Sequence, residues 1–451
     1  MDTVLISNRG EIALRIIRAC RRLGLRVVCA YSEDDRGAPY LDLADAAVCI
    51  GPAPAPKSYL NIPALLAAAR ATGATMIHPG YGFLSENAGF AEAVAAAGLT
   101  LIGPSPEIIR MMGDKIAAKR AMVATGVPCV PGSEGALPED GDRIAEMAEQ
   151  FGYPLILKAA GGGGGRGMRV VKEPAALREA FEVTKQEARQ FFGNPEIYME
   201  KYLQNPRHVE IQIIADSHGK ALWLGDRDCS MQRRHQKLIE EAPAPGIDRA
   251  VIADIGARCA ASCREIGYVG AGTFEFLYED GAFYFIEMNT RIQVEHPVTE
   301  LVTGLDIVAL QIEVARGRAL PLEQDDVRTA GHAIECRINA EHPDSFVPSP
   351  GKVSRIHLPG GPGVRVDTHI AAGSTIPSSY DSMIGKVIAH GKDRAEALAR
   401  VHAAVKEFNV DGVHCNAALH ARLLGDPAFR QGGVGIHHLE HLLAEWEAEN
   451  A

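Results

Sequence analysis

Residues 287–297 read EMNTRIQVEHP, so Glu287, Asn289, Arg291, Gln293 and Glu295 recur at a spacing of two. Met288, Thr290, Ile292 and Val294 fill the positions between. In an extended chain this period puts two carboxylates, two amides and a guanidinium on one face and a core-facing set on the other. A half-buried strand of no special purpose also alternates. The composition is less ordinary, because metal-ligand side-chain types stand beside a fixed cation where a solvated face usually carries Lys, Thr and Ser.

The preceding stretch constrains it further. Thr273–Leu277 alternates toward Tyr278-Glu279-Asp280-Gly281-Ala282, and Phe283–Glu287 returns. Asp280-Gly281 marks a hairpin. A two-residue loop would put Glu275 and Glu287 on opposite faces. A three-residue loop, Glu279-Asp280-Gly281, pairs Tyr278 with Ala282 and sets Glu287 diagonal to Glu275 on one face. Phe274, Phe276, Tyr284 and Ile286 would then fill the other. Two carboxylates at diagonal range, roughly 7–8 Å between backbones, repel unless a cation lies between them. Oxygen ligands from two carboxylates and an amide suit Mg²⁺, which takes the rest of its shell from water and substrate phosphates.

At 451 residues the chain is too long for one core and implies about three domains. A net charge of −11 argues against a nucleic-acid binder. The nine cysteines are scattered without zinc spacing and read as buried thiols of a reducing, cytoplasmic protein. No segment approaches the roughly 18 apolar residues of a membrane span. The fold class is α/β. Thr3–Ser7, the turn Asn8-Arg9-Gly10, the helical period from Glu11 to Leu23 and the apolar run Arg26–Tyr31 open a doubly wound sheet. Met76-Ile77 ends a further strand before HPGYGFLSEN. A boundary falls near Gly103–Pro106, Pro128–Pro138 links into a smaller subdomain, and from about Gly331 the short strands AIECRI, KVSRIHL, GVRVD and KVIAH indicate a β-rich region closed by helices after Asp393.

PLILKAA ends in Lys158, and Gly161–Gly165, Arg166, Gly167 and a second strand follow. This is not a phosphate loop opening a helix. It is either a glycine-rich hairpin that closes its N–H groups over phosphates or a surface turn. Glu200-Lys201-Tyr202-Leu203 leaves a strand in a way that fits an adenine edge and ribose, although many surface turns look alike. His208-Val209-Glu210-Ile211-Gln212 alternates. The basic run from Arg227 to Lys237 is either a solvated face or a source of cations for an anionic substrate.

Lys115, Lys158, the glycine run, Lys201, Leu203, Glu275, Glu287 and Asn289 together resemble the ATP-grasp pattern. HPGYGFLSEN, GGGGGRGM, GDRDCSMQRRHQK, EMNTRIQVEH and YDSMIGK narrow the resemblance to the biotin carboxylase subunits of acetyl-CoA carboxylase, from about Val4 to Leu443. The resemblance implies an N-terminal Rossmann-like domain over 1–112, an ATP-grasp domain over 113–330 with a mobile lid over about 130–203, and a C-terminal biotin carboxylase domain over 331–447. It implies that Lys115, Lys158, Gly163, Gly164, Gly165, Glu200, Lys201, Leu203, His208, Gln232, His235, Glu275, Leu277 and Glu287 surround ATP. Glu275, Glu287 and Asn289 would hold Mg²⁺ or Mn²⁺, with two ions. Lys237, Arg291, Gln293 and Val294 would bind bicarbonate, Glu295 would be its base, and Arg337 would stabilise the biotin enolate near Tyr81 and Asp381.

No Lys-Met pair is present, so biotin is expected on a separate carrier protein, with separate carboxyltransferase subunits. The resemblance also implies a homodimer. Arg15, Arg18 and Arg365 match its contact surface, whereas Arg22 and Pro362 replace an acidic and an aromatic residue. Two other readings remain: a ligase joining a carboxylate to an amine, which leaves Arg291, Gln293 and Glu295 in one row unexplained, and a non-catalytic nucleotide-binding subunit, which would need a lost ligand or base.

Overall fold

The computed structural model describes residues 2–161 and 167–449. The strands β1 (Thr3–Ile6), β2 (Arg26–Ser32), β3 (Ala46–Gly51), β4 (Met76–His78) and β5 (Thr100–Leu101) form a parallel sheet in the order β3-β2-β1-β4-β5. The expected βαβ opening is present. Helix Gly10–Arg22 buries Ile12, Ile16, Ile17 and Cys20 on the face their spacing defines. Loops leaving this sheet at β4 carry Tyr81 to the central cavity.

A smaller unit follows. The strands β6 (Leu155–Ala159), β7 (Met168–Val171) and β8 (Ile197–Lys201) make an antiparallel sheet in the order β7-β6-β8. Helices Gly141–Phe151 and Leu177–Phe192 cover it over a core of Leu155, Leu157, Val171, Phe181, Ile197 and Met199. The pairing of Lys158 with Met168 makes β6 and β7 the arms of the expected hairpin. Gly163, Gly164 and Gly165 lie outside the described residues.

The largest sheet has eight strands. They are β9 (Arg207–Ala215), β10 (Ala221–Arg233), β11 (Gln236–Ala242), β12 (Gly270–Glu279), β13 (Ala282–Asn289), β14 (His332–Asn339), β17 (Val364–Thr368) and β19 (Met383–Gly391), and their order is β13-β12-β9-β10-β11-β14-β19-β17. The sheet is continuous across residue 331, because β11 pairs with β14. The short strands β15 (Gly351–Lys352), β16 (Arg355–His357), β18 (Thr375–Ile376) and β20 (Asn409–Asp411) make two small ladders, β15 with β18 and β16 with β20. KVSRIHL is therefore split between two partners. Helices from Arg394 onward close the C-terminal core, as the sequence indicates.

Three local expectations need correction. The β12–β13 loop has two residues, not three: Glu279 pairs with Ala282, and Asp280 and Gly281 both have positive φ, 50° and 81°, as a type I′ turn requires. A register shift between Glu275 and Phe276 then inserts one residue into β13 and sets Glu275 directly opposite Glu287. The two carboxylates share a face, as expected, through a bulge rather than a longer loop. The same shift makes Phe283 and Phe285, not Tyr284 and Ile286, the partners of Phe274 and Phe276 in the core. Second, β13 ends at Asn289, and the chain from Thr290 to Glu295 is irregular rather than extended. Third, six cysteines are buried and all nine are free, but Cys129 and Cys415 are half-buried and Cys49 is exposed.

Candidate active site

The eight-stranded sheet, the small β6–β8 unit and the β4 loop enclose one cavity of about 1170 Å³. Its floor begins with a row of acids on successive strands. Glu210 on β9 lies opposite Glu275 on β12, which lies opposite Glu287 on β13. Adjacent like charges across strands are destabilising, so the row requires cations. Arg227, fully buried on β10, donates to Glu210 at 3.0 Å, Gln212 at 2.7 Å, Thr299 at 3.0 Å, Thr273 at 3.1 Å and Gln293 at 2.6 Å. Lys237 on β11 bonds Glu210, Glu275 at 2.9 Å and Glu295 at 2.8 Å. His208 lies 3.1 Å from Glu210 and 3.2 Å from Glu275. The basic run from Arg227 to Lys237 thus supplies cations to the acids from its two ends, while Arg234, His235 and Gln236 between them are exposed.

The irregular segment after β13 completes this wall. Asn289 and Gln293 each donate to Glu275 at 2.7 Å. Arg291 spans Glu86 at 2.8 Å and Asn289 Oδ1 at 2.7 Å. Arg337 on β14 bonds Glu240 and reaches Glu295 at 2.9 Å. Glu295 therefore sits between Lys237 and Arg337. Burial pushes its carboxyl up, but Lys237 and then Arg337 outweigh that and leave it below the usual range. Burial likewise opposes charge on Lys237, and Glu210, Glu275 and Glu295 overcome it, so the ammonium persists well above the ordinary lysine value.

The opposite end of the cavity is apolar. Val130, Ile156, Met168, Leu203, Leu277 and Ile286 line it, framed by Lys115, Lys158, Lys201, Gln232 and His235. An apolar slot edged by a few placed polar groups suits a planar base, and the lysines between slot and acids suit phosphates. Lys115 bonds Glu287 at 3.1 Å. Lys158 and Lys119 bond Glu200 at 2.6 and 2.9 Å. Burial raises the Glu200 carboxyl, but the two lysines outweigh it and hold it below the usual range. Glu200 stands behind Lys158 and does not line the cavity itself. On the third side are Tyr81, whose hydroxyl bonds Glu11, and Asp381.

Of the residues singled out in the sequence, Tyr81, Lys115, Lys158, Lys201, Leu203, His208, Gln232, His235, Lys237, Glu275, Leu277, Glu287, Asn289, Arg291, Gln293, Val294, Glu295, Arg337 and Asp381 all line this one cavity. Glu275, Glu287 and the Asn289 carbonyl form an oxygen-only donor set of the kind Mg²⁺ takes. The tightest ligand-type groupings among the described residues are different ones: His208, Glu210 and Glu275, and Glu210, Cys229 and Glu295. Lys237 bonds all three of these glutamates, so these groupings are ion-pair networks. Sequence reading missed Glu210, Glu86, Glu240 and Lys386 as parts of the site. Glu210 had a signal, its alternation with His208 and Gln212. Glu240 acquires its partner through the sheet, and Glu86 and Lys386 acquire theirs through the segment after β13.

Residues 1–109 match the family model for the biotin carboxylase N-terminal domain, 114–323 that for the carbamoyl-phosphate synthase L chain ATP binding domain, and 335–441 that for the biotin carboxylase C-terminal domain. The biotin carboxylase of Allochromatium vinosum is 59% identical over 443 residues, 98% of this chain and 99% of its own. A crystal structure of a biotin carboxylase–nucleotide complex from Campylobacter jejuni superposes with a TM-score of 0.94 at 47% identity, covering 98% of each chain. The biotin carboxylase domain dimer of Hydrogenobacter thermophilus 2-oxoglutarate carboxylase, solved with MgADP and bicarbonate, superposes with a TM-score of 0.91 at 43% identity, covering 98% of this chain and 97% of that one.

Proposed function

Since the chain belongs to the biotin carboxylase family and is an ATP-dependent, biotin-carboxylating ATP-grasp enzyme, we propose a division of labour within its cavity and a partner set around it. The observation that carries the assignment is the convergence of Lys237, Arg291, Gln293, Glu295 and Arg337 on one wall, next to the lysine-framed slot. The apolar slot takes the adenine. Lys115, Lys158 and Lys201, with Gly163–Gly165, hold the phosphates. Glu275, Glu287 and Asn289 hold Mg²⁺, which when bound offsets phosphate charge.

Bicarbonate binds between Lys237, Arg291, Gln293 and Val294. Its arrival draws Lys237 away from Glu295, which raises the basicity of that carboxylate where it must accept the bicarbonate proton. An oxygen of bicarbonate then attacks the γ-phosphorus, the bond to the ADP oxygen breaks, and carboxyphosphate results. Two anions meet in this step, so positioning and fixed positive charge supply most of the catalysis. Carboxyphosphate separates into CO₂ and phosphate, phosphate removes the ureido proton of biotin, and the nitrogen captures CO₂. Arg337, beside Tyr81 and Asp381, stabilises the enolate oxygen.

The biotin is carried by a separate carrier protein, and carboxyltransferase subunits pass the carboxyl to acetyl-CoA or a related acceptor. The chain works as a homodimer with an altered contact surface. Arg15 is engaged within the chain by Glu300 at 2.7 Å and Arg365 by Glu300 at 2.8 Å, while Arg18 and Arg22 are exposed. With magnesium and ATP the protein should form ADP only when bicarbonate is present and carboxybiotin only when biotin is added as well, and Glu287→Gln should abolish both activities. Equal turnover of the variant at saturating magnesium would overturn the metal assignment.

A further inference from the structure

A second pair of acids lies below the reaction wall and takes no part in the steps above. Glu240 on β11 stands directly opposite Glu335 on β14, and both are fully buried. Opposed side chains on one sheet face are roughly 4.5–5.5 Å apart at Cβ. Glu240 is bonded by Arg337, but its second oxygen and both oxygens of Glu335 have no hydrogen-bond partner among the described residues. Every nearby cation is already engaged. Arg337 spans Glu240 and Glu295. Lys386 on β19 is 3.3 Å from Glu11 and donates to the Val294 carbonyl at 2.7 Å. The cluster holds six carboxylates, those of Glu11, Glu210, Glu240, Glu275, Glu295 and Glu335, against five cations, those of Arg227, Lys237, Arg337, Lys386 and His208, whose ring, despite its burial, Glu275 and Glu210 hold protonated up to about 9. A buried ion without a partner costs far more than a buried neutral acid.

We propose that Glu335 is a permanently protonated buried acid, and that its neutrality keeps Glu240 ionised beside it as the positioning residue that fixes Arg337 for the biotin step. The biotin half of this statement rests on the role given to Arg337 above; the protonation of Glu335 does not. The other titratable groups facing the pair are Lys237 on β11, Cys229 on β10, Cys336 and Arg337 on β14, Lys386 on β19, and Glu295 before helix His296–Thr303. Burial pushes Glu335 well above the usual carboxylate range, and Lys386 only partly opposes it. Glu240 is also raised by burial, to about 7, with Arg337 as the largest opposing influence, so it is ionised above about pH 7.

A raised acid in the fold retains a proton that the unfolded chain releases, so Glu335 withdraws stability from the wild-type protein as pH rises past about 4.5. Glu335→Gln removes that loss. The variant should unfold at a higher temperature than wild type at neutral pH, with a gap that widens between about pH 5 and pH 8. A variant less stable than wild type at neutral pH would mean that Glu335 is an ionised partner of Lys386, and would overturn the proposal. Infrared spectroscopy of the wild-type protein at about pH 8 should show a protonated carboxyl stretch that Glu335→Gln removes. Its absence from wild type refutes the proposal without any variant.

For the positioning half, Glu240→Ala should lower biotin carboxylation by about 10–100-fold while sparing bicarbonate-dependent ADP formation, and Glu240→Gln, which keeps an acceptor for Arg337 Nε, should restore most of the loss. Equal effects of Ala and Gln would overturn that half. If Arg337→Ala itself leaves carboxylation intact, the reading of Arg337 fails while the infrared and stability results still decide Glu335.

Discussion

Lys237 shows how far single residues could be read. Its place in a basic run marked it as a possible cation for substrate, but its three carboxylate partners come from β9, β12 and the segment after β13, which no local pattern brings together. Glu287 and Glu295 were legible because their residue types recur within one short alternating stretch, and Glu275 because the hairpin signal at Asp280-Gly281 folds its strand back beside Glu287. Glu240 and Glu335 were not, because an acid in a β-rich run reads as solvent-facing until its opposite number is known. Glu241, next to Glu240 but bonded by His332 at 2.7 Å and by Arg394, gives a test of the buried charges outside the site. Burial raises its carboxyl, but His332 and Arg394 outweigh that and hold it below the usual range. A depressed acid stabilises the fold above its unfolded pKa, and that stability is lost as pH falls through the folded value. Glu241→Gln should therefore cost about 1–3 kcal/mol at neutral pH, because Arg394 keeps only the Arg430 and Phe429 carbonyls as partners, and the difference from wild type in chemical denaturation should shrink as pH falls below about 4.5. A difference that persists undiminished into acid would show that packing, not charge, is lost.

Among the elements, the β12–β13 hairpin separates what pattern reading can and cannot do. The turn residues located it and the period placed both acids on one face. The inserted residue that achieves this leaves no mark in the sequence, since Ile286 is as apolar as its neighbours, so the loop was read one residue too long and the core pair misassigned. The run to Glu295 failed as a strand for a related reason. Met288, Thr290 and Ile292 are buried without a ladder, but so are Asn289, Gln293 and Glu295, because the segment forms part of the cavity wall rather than lying beside another strand. The β6–β7 hairpin was read correctly at its arms. Deleting Gly163 and Gly164 should raise the KM for ATP and lower turnover while leaving the unfolding temperature of the protein unchanged. Full turnover per folded molecule with reduced thermal stability would make the glycine run structural.

At the scale of the whole molecule, the parallel N-terminal sheet was legible from its apolar runs, and the C-terminal strands from their short alternations. The continuity of the eight-stranded sheet was not, because β11 and β14 are far apart in the chain. The consequence is that residues 331–447 should not fold when produced alone: β14 would lose the partner of its buried edge along with the contacts of Ile239 and Leu238. A fragment with a cooperative thermal transition would contradict this. The same continuity places Arg337 from β14 beside Glu295, so the two can be tested as successive steps in one cavity. No helix among the described residues is long and apolar enough to cross a membrane, and free biotin serves as the acceptor in such an assay. The most direct measurement is the ratio of ADP to carboxybiotin formed by Glu295→Ala and Arg337→Ala. Glu295→Ala should stop both products, because bicarbonate is no longer deprotonated. Arg337→Ala should lower carboxybiotin by about 10²–10³-fold, as for loss of a donor to a developing oxyanion, while ADP formation falls far less. An Arg337→Ala enzyme that loses both products equally and keeps the wild-type ratio would contradict the division of the cavity into a bicarbonate step and a biotin step.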